Sequence, residues 1–406
     1  MKLKQRPEDF IVTEVADLPV GTGNHALYRL AKCDIGTLEA LSAAARCWNL
    51  PRQRMVHAGL KDRHAATEQF VTVREGPRHD LTLENITLTY LGQTPRPICA
   101  SDIQANRFEI TVRDLTVGDA EAAQQQVSAI ERFGVPNYFD NQRFGSLGES
   151  GEWVAAAQCR DDYERALWLA LADPHTDDSS FEKRQKSILH DHWGDWIECK
   201  QLLDRSHRRS IVTFLADKMH VGRKPDFRAA FARINSDLRG LYLSAWQSAL
   251  WNRVLTRLLR QCEPDSDLFR FHLESGEAVF PMTGHTAVED IPEQREVVLP
   301  LMNLRIPLPS ARISLPEGPV GEVMQQVLAD EGFSLRDLKI RQPRDRFFSR
   351  GQRDAFLFPT FGAVLSLSDE LNPGRRCVTF QFTLPRGSYA TIVIRRLLAH
   401  SEFSAD

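Results

Sequence analysis

Hydrophobic and polar residues alternate with the period of a β-strand in several short runs of the first 115 residues. Two such runs, at 7–15 and 27–30, flank the turn-forming sequence GTGN at 21–24, and this arrangement predicts a hairpin. Further strands are predicted at 70–75, 86–93 and 107–115. The N-terminal part of the chain is therefore expected to form a sheet.

Two helical patterns interrupt these strands. The first begins after Thr37, whose hydroxyl suits a helix N-cap, and ends before Pro51. Its apolar face is formed by Leu38, Leu41, Ala45 and Trp48. The second helix is predicted at 119–133 and ends at Gly134. Strands and helices are thus mixed in an α+β order, and the order contains no glycine-rich βαβ unit that would hold a nucleotide cofactor.

From about residue 163 the pattern changes to long helical segments. Helices are predicted at 164–172, 241–261 and 320–329, with strand-like sequence at 296–304. The end of the chain returns to β-rich sequence at 356–367 and again from 377, where VTFQF at 378–382 alternates as a strand, and it closes with a helix. This strand places Phe380 and Phe382 on one face.

Composition limits the class of protein. The chain has 406 residues, of which 42% are hydrophobic and 26% charged, and this is enough for a large core and two domains. No apolar run reaches the length of a membrane span, and the first residues, MKLKQRPEDF, lack the apolar core of a signal peptide. Seven scattered cysteines without a C-x-x-C pair argue against a zinc ribbon and a disulfide framework. We therefore expect a cytoplasmic protein.

Net charge is −3, which by itself does not indicate a polyanionic partner. Local charge differs, because residues 201–240 contain nine Lys and Arg against four Asp, and residues 336–354 contain seven against three. Such stretches are typical either of a nucleic-acid-binding surface or of solvated amphipathic helices, and the pattern alone leaves both interpretations open.

The stretch from His57 to Phe70, HAGLKDRHAATEQF, concentrates ionisable residues without a helical stripe, which favours a loop entering a strand. Asp62 stands between Lys61 and Arg63, and neighbouring cations favour an ionised, oriented carboxylate suited to a nucleophile. A solvated charge cluster is one alternative. Another is a metal site formed by His57, Asp62, His64 and Glu68.

Two further segments carry candidate binding residues. The block NYFDNQRFGSLGESG at 137–151 mixes amides, an arginine and aromatic rings, which suits a nucleotide pocket. Its candidates are Asn137, Phe139, Gln142, Arg143 and Phe144, of which Phe144 is expected to belong to the core. The sequence LPRGSYAT at 384–391 brings Tyr389 to a predicted strand-to-helix turn.

Four blocks of sequence, in order along the chain, resemble the TruD family of tRNA pseudouridine synthases. They are LKQRPEDFIVTEV at 3–15, GLKDRHAATEQ at 59–69, GVPNYFDNQRFG at 134–145 and LPRGSYATIVIRR at 384–396. The resemblance implies an α+β fold in which a pseudouridine-synthase-like catalytic domain has a mixed, largely antiparallel sheet with helices. It also implies a division into catalytic-domain parts at 1–162 and 351–406 and an inserted α/β TRUD domain at 163–350.

The resemblance implies the conversion of a uridine in tRNA, uridine 13 of the D-arm in the family, to pseudouridine. The reaction requires no redox cofactor, no nucleotide and no metal, and the expected partner is tRNA, with no membrane and with the protein as a monomer. The base must leave the RNA stack, which costs a few kcal/mol that stacking on aromatic rings offsets. Whether the aspartate attacks the sugar or promotes a glycal intermediate stays open.

Residue roles follow from the motif match. Asp62 is the expected catalytic residue, Lys4 a basic group beside it, Phe10, Asn137 and Tyr389 contacts of the target nucleoside, and Phe139 part of the pocket lining. This sequence departs from the family pattern in three places. Tyr389 stands where bacterial members often have phenylalanine, Asp140 and Asn141 replace a smaller pair, and extra sequence lies near 173–210.

Two other functions compete with the synthase. One is a non-catalytic RNA-binding protein of the same fold, and the other is a metal-dependent hydrolase using the histidines around Asp62. Substitution of Asp62 separates these functions. An enzyme loses product formation with this change, whereas a binding protein forms no product even as wild type.

Overall fold

The computed structural model describes residues 1–220, 222–281, 299–341 and 346–399. The strands of this part are β1 (Lys2–Leu3), β2 (Phe10–Ala16), β3 (His25–Cys33), β4 (Met55–His57), β5 (Ala66–Arg74), β6 (Leu81–Leu83), β7 (Ile86–Thr94), β8 (Ile103–Leu115), β9 (Val135–Pro136), β10 (Leu268–Leu273), β11 (Gly276–Pro281), β12 (Arg305–Pro307), β13 (Gln352–Asp354), β14 (Phe356–Leu357), β15 (Thr360–Ser368) and β16 (Arg376–Pro385). The helices are α1 (Thr37–Cys47), α2 (Val117–Phe133), α3 (Val154–Cys159), α4 (Tyr163–Leu171), α5 (Ser180–Asp191), α6 (Trp196–Leu202), α7 (His207–His220), α8 (Phe227–Ala232), α9 (Ser236–Cys262), α10 (Leu299–Met302), α11 (Pro319–Asp330) and α12 (Ala390–Leu397).

The described residues form two compact units. The first unit contains Met1–Val135 and the described residues from Leu357 onward, and the second contains those from Pro136 to Phe356. The described part of the proposed inserted domain at 163–350 lies within the second unit. The block at 137–151 also belongs to the second unit.

A mixed sheet organises the first unit, in the order β15-β16-β8-β2-β5-β3-β7-β6. Strands β2 and β5 run parallel, with Ile11 opposite Ala66. The other neighbours along this path are antiparallel. The prediction of an α+β fold with a largely antiparallel sheet is therefore confirmed.

The predicted hairpin of β2 and β3 is wrong, because β5 lies between these strands. Strand β3 pairs with β5 along its whole length, from His25 opposite Arg74 to Cys33 opposite Ala66. Strand β5 is therefore paired with β2 on one side and with β3 on the other. Consequently the loop that precedes β5 emerges next to both β2 and β3.

Helix α1 packs against β3, β5 and β7 through a buried cluster of small and aliphatic side chains. Leu41 and Ala45 are buried there as predicted, but Leu38 is exposed. The predicted N-cap is also wrong, because Gly36 occupies the N-cap position and the Thr37 hydroxyl bonds elsewhere. On the other half of the sheet, α2 contacts β8, β15, β16 and α12.

The second unit is mainly helical. Its core is formed by a cluster of buried side chains that extends from Val154 to Tyr242. Helix α9 presents a long buried face that includes Trp246 and Trp251. The strand predicted at 296–304 falls partly outside the described residues, and its described part forms the short helix α10 instead. Across the described residues, no helix is both long and apolar enough to cross a membrane.

Candidate active site

The loop between β4 and β5 carries Asp62 and is held by one buried hydroxyl. The Thr37 Oγ accepts a hydrogen bond from the Lys61 backbone N–H (3.0 Å) and donates one to Gln69 Oε1 (2.8 Å). The Gln69 side-chain amide then donates to the Gly59 carbonyl at 3.1 Å. Helix α1 and strand β5 therefore fix the loop from both sides, immediately before the position of the candidate catalytic residue.

The Asp62 carboxylate forms an ion pair with a lysine that is distant in sequence. Lys4 Nζ lies 2.7 Å from Asp62 Oδ2, and 32% of the Asp62 side chain is exposed. The backbone of Lys4 is in the left-handed region at φ 55°, directly after β1. The same ammonium lies 4.1 Å from the centroid of the Phe10 ring. Lys4, Phe10 and Asp62 are thus brought together.

A second lysine holds the backbone of the same aspartate. Lys32 Nζ donates a hydrogen bond to the Asp62 carbonyl oxygen at 2.6 Å. Lys32 is only 3% exposed. Its burial lowers the pKa of Lys32 from 10.5 to about 8, although the nearby Asp62 charge acts in the opposite direction. The loop is therefore anchored by an ammonium group that titrates close to neutral pH.

Lys61 and Arg63, the sequence neighbours of Asp62, point to other carboxylates. Lys61 Nζ lies 2.9 Å from Glu14 Oε1 and donates to Asn106 Oδ1 at 2.6 Å. The Glu14 carboxylate is buried, with 1% of its side chain exposed. Arg63 pairs with Glu39 on the surface. The expectation that adjacent cations orient Asp62 is therefore corrected, since Lys61 and Arg63 pair with Glu14 and Glu39 and the distant Lys4 pairs with Asp62.

A row of aromatic rings crosses the sheet next to this loop. Phe10 of β2 is 5% exposed and meets Phe108 of β8 edge to face at 6.2 Å. Phe108 stacks on Phe382 of β16 at 5.6 Å. Four residues after β16 ends, the partly buried Tyr389 takes the N-cap position of α12. The strand that presents Phe382 thus leads directly into the turn that carries Tyr389.

The other two candidates, Asn137 and Phe139, belong to the second unit and are organised by an arginine. The Arg353 guanidinium donates to Asn137 Oδ1 at 2.5 Å and to the Asn137 carbonyl at 2.7 Å. It also lies 4.1 Å from the centroid of the Phe139 ring. The Asn137 amide donates to the Asp354 carbonyl at 3.0 Å. Phe144 is fully buried, and its predicted core position is confirmed.

Comparison with known proteins places this arrangement in a family. The family model described as tRNA pseudouridine synthase D (TruD) matches residues 1–397. The chain belongs to the TruD family.

Similar TruD proteins extend over nearly the whole chain. The "tRNA pseudouridine synthase D" of Aquifex aeolicus is 28% identical over an alignment of 408 positions that covers 98% of this chain and 98% of that protein. The "Probable tRNA pseudouridine synthase D" of Methanopyrus kandleri is 30% identical, over 95% of this chain and 88% of its own length. A crystal structure of a TruD protein from Methanosarcina mazei superposes with a TM-score of 0.70 at 26% identity, covering 98% of this chain and 93% of that one.

The two histidines on either side of Asp62, His57 and His64, have partners of their own. His57 Nδ1 lies 3.0 Å from the Gly59 carbonyl, and burial lowers the pKa of His57. His64 pairs with Asp34 on the surface at 2.8 Å. Within the residues that the structure describes, no three His, Cys, Asp or Glu side chains are grouped as metal ligands would be. The side chains of the metal-site alternative are therefore dispersed.

The residues that support Asp62 within this TruD fold lie outside the sequence motif that contains it. Lys32 shares the parity of Ala26, Tyr28 and Leu30, which are the buried positions of β3. Glu14 likewise follows Phe10 and Val12 on the buried side of β2. A charged residue that falls among the inward-pointing apolar positions of a strand indicates a buried charge that needs a partner. Arg353 had no comparable signal.

Replacing Thr37 by valine, which has nearly the same shape, is expected to weaken both the TruD fold and its activity. The change leaves the Lys61 N–H and the Gln69 amide oxygen without their partner, which costs about 1–3 kcal/mol in the free energy of unfolding. Thr37→Ser keeps the hydroxyl and serves as the control. Denaturant unfolding and turnover are measured together, and equal values for the two variants would contradict the anchoring role.

Proposed function

We propose that this chain converts uridine 13 in the D-arm of tRNA to pseudouridine, with Asp62 as the reacting carboxylate. The conversion of a tRNA uridine to pseudouridine is the activity of the TruD family to which the chain belongs. The choice of uridine 13 and the role of Asp62 are proposals. We further propose that the protein acts as a monomer in the cytoplasm. The observation that carries the proposal is the Lys4–Asp62 ion pair at 2.7 Å beside the Phe10 ring.

The reaction is an isomerisation, so its atoms and electrons balance without an oxidant or a reductant. The bond between C1′ of the ribose and N1 of uracil breaks, the base rotates, and a bond forms between C1′ and C5. The proton on C5 is then lost, and N1 gains one. The two possible tasks of the aspartate, attack on C1′ or abstraction of a proton from C2′, both need an ionised carboxylate in a fixed position.

The neighbouring side chains would provide that position. The Lys4 ammonium fixes one oxygen of the Asp62 carboxylate, and Lys32 holds the backbone carbonyl of the same residue. Phe10 offers an aromatic face for a flipped base, but the Lys4 ammonium lies over that ring at 4.1 Å. A base that stacks on the face of Phe10 beneath this ammonium therefore has to displace it. That movement would couple entry of the uridine to a change at Asp62.

Residues outside the Asp62 loop have supporting parts in the proposal. Tyr389, Asn137 and Phe139 are proposed to contact the target nucleoside or to line its pocket. The amide of Asn137 is already engaged by Arg353 and Asp354, which keeps Arg353 over the Phe139 ring. We therefore propose that Asn137 reaches the nucleoside with its orientation set by Arg353.

The test uses tRNA transcripts that contain uridine labelled with tritium at C5. Formation of the C1′–C5 bond releases this tritium to water, and mapping of the product locates the pseudouridine. We expect release from a transcript with uridine at position 13 and none from the matched transcript with cytidine there. Release from both transcripts, with pseudouridine mapped elsewhere, would overturn the choice of uridine 13 while leaving the family activity intact.

A further inference from the structure

An open groove on the second unit collects cationic side chains that the proposed chemistry does not use. It has a volume of about 470 Å³ and lies along α6 and α7. Its lining residues are Lys200, Arg205, Ser206, Arg209, Ser210 and Thr213. Residues 206, 209, 210 and 213 follow the three- and four-residue spacing of one helical face. The groove is therefore a built feature of α7 and not a scatter of surface charges.

The two arginines of the groove differ from most basic residues around them. Arg205 and Arg209 form no ion pair with any residue in the described part of the chain, and Arg205 is exposed. By contrast, Arg208 pairs with Glu182 at 2.7 Å and Arg228 pairs with Asp161 at 2.8 Å. Two guanidinium groups that line one groove without carboxylate partners repel each other, and an anion between them relieves that repulsion.

The acidic residues near the groove are already engaged. Asp204 accepts hydrogen bonds from Arg184 and from the Gln185 amide. Asp217 lies 3.5 Å from the Lys200 ammonium. Three cations therefore line the groove, and its lining contains no carboxylate, since Asp204 and Asp217 lie outside the lining. The local charge favours an anionic ligand.

The hydroxyl groups narrow the chemistry of that ligand. The Ser206 Oγ accepts a hydrogen bond from the Arg209 backbone N–H, so its own proton remains available to a ligand. The Ser210 and Thr213 hydroxyls donate to backbone carbonyls. A planar guanidinium fork beside a hydroxyl donor matches the oxygens of a phosphate group, which accept several hydrogen bonds at once.

We propose that this groove binds a phosphate group of the tRNA backbone. The proposal rests on the proposed function, in which tRNA is the substrate. It assigns the RNA affinity of the basic segment at 201–240 to Arg205 and Arg209, together with Lys200 directly before the segment. Arg208 has no part in this binding, because its guanidinium is paired with Glu182. Phosphate contacts position a nucleic acid without reading its sequence. The groove therefore contributes affinity and register, whereas discrimination between uridines belongs elsewhere.

The test compares two double variants that each lose two positive charges. The first is Arg205→Gln with Arg209→Gln. The control is Arg257→Gln with Arg270→Gln, two exposed arginines of the same unit that are ion-paired with Asp330 and Asp265. Affinity for an unmodified tRNA transcript is measured between about 50 and 200 mM salt. We expect the slope of log K against log salt to fall by about 0.7–0.9 in the groove variant, as for one lost phosphate contact, and to stay unchanged in the control.

A second measurement identifies the ligand directly. Single phosphates of the transcript are replaced by uncharged methylphosphonates, and the affinity of each transcript is measured with wild type and with the groove variant. We expect one position at which the methylphosphonate lowers the affinity of the wild type. At that position it should not lower the affinity of the groove variant any further. Equal slopes for the groove variant and the control, or equal sensitivity of both proteins at every position, would overturn the proposal. Competition by inorganic phosphate without any change in the tRNA slope would assign the groove to a free anion and would also overturn it.

Two controls separate the possible failures. Arg205→Lys with Arg209→Lys keeps both charges and is expected to retain the wild-type slope, and thermal melting checks the fold of every variant. Binding is measured without turnover, so the groove stands if the wild type binds tRNA but makes no pseudouridine. If the wild type converts tRNA normally but the groove variant has the same salt slope as the control variant, the groove proposal is overturned and the proposed function stands.

Discussion

Replacing Asp62 by asparagine is expected to reduce pseudouridine formation below detection while the fold and tRNA affinity survive. The substitution keeps the size of the side chain and removes its charge, so neither a nucleophilic nor a proton-abstracting role remains. The buried Glu14 carboxylate cannot replace it, because it is held by Lys61 at 2.9 Å and by the Phe70 N–H at 2.9 Å. Affinity should stay within several-fold of wild type, and it should tighten slightly since an anion near the RNA phosphates is gone.

Asp34→Asn provides a matched control for this experiment. Asp34 is an exposed aspartate that pairs with His64 in the same region, and the substitution makes the same chemical change. Tritium release, tRNA binding and thermal melting are measured for both variants. Product formation by the Asp62 variant would make Asp62 a structural partner of Lys4. Binding of tRNA by wild type without any product would favour the non-catalytic RNA-binding protein.

Replacing Lys32 by methionine is expected to lower kcat by about 100-fold, the effect typical of a misplacement near 1 Å at a reacting group. Methionine fills a similar volume but cannot donate to the Asp62 carbonyl, which Lys32 holds at 2.6 Å. The melting temperature should stay unchanged or rise, because a buried ammonium is costly to the fold. A loss of both activity and stability would indicate a scaffold role instead of positioning.

The pH profile gives a second measure of the same lysine. Loss of the proton weakens the hydrogen bond to Asp62, so activity should fall as pH rises through about 8. Stability should move in the opposite direction. The folded-state pKa of Lys32 is lowered, so between about 8 and 10.5 the unfolded chain binds more protons and this lysine raises the free energy of unfolding with pH. The charges that act on the pKa of Lys32 are those of Asp62, which raises it, and of Lys61, which lowers it.

Lys32→Gln separates the hydrogen bond from the charge. Glutamine donates to the Asp62 carbonyl but does not titrate, so this variant should retain part of the activity and lose the alkaline decline near pH 8. Activity that declines equally in wild type and in Lys32→Gln would assign the decline to another group, for example the uracil base itself.

The sequence predicted the strands and helices well where periodicity was long and unambiguous, as in α2, α9 and β8. The sequence-based prediction failed for strand pairing, that is, for the order of the strands in the sheet. The strands β2 and β3 have the local signals of a hairpin, but insertion of β5 between them is a nonlocal choice that no turn signal reveals. The local sequence around Thr37 predicts a helix N-cap. In the structure its hydroxyl instead accepts a hydrogen bond from Lys61, which lies 24 residues further along the chain.

The candidate site shows the same division. Asp62 stands in a compact motif and could be recognised, but the cation on its carboxylate comes from Lys4, 58 positions earlier. Lys61 and Arg63 were expected in that role on sequence adjacency, and the structure gives them to Glu14 and Glu39. The inward parity of Lys32 and Glu14 in their strands was visible in the sequence. The contacts of Lys32 and Glu14 depend on how distant segments of the chain pack against them. The hydrophobic periodicity of a strand carries no information about that packing.

The pairing of β16 with β8 has a consequence for synthesis of the chain. The side chains of Thr111 and Thr379 on these neighbouring strands are hydrogen-bonded across 268 positions of sequence. At the usual rate of translation, β8 waits on the order of tens of seconds on the ribosome for its neighbour. During that time the nascent chain holds the Asp62 loop but presents a bare strand edge, which is a template for pairing with other chains. Chains released before β16 is made are therefore expected to aggregate through this edge.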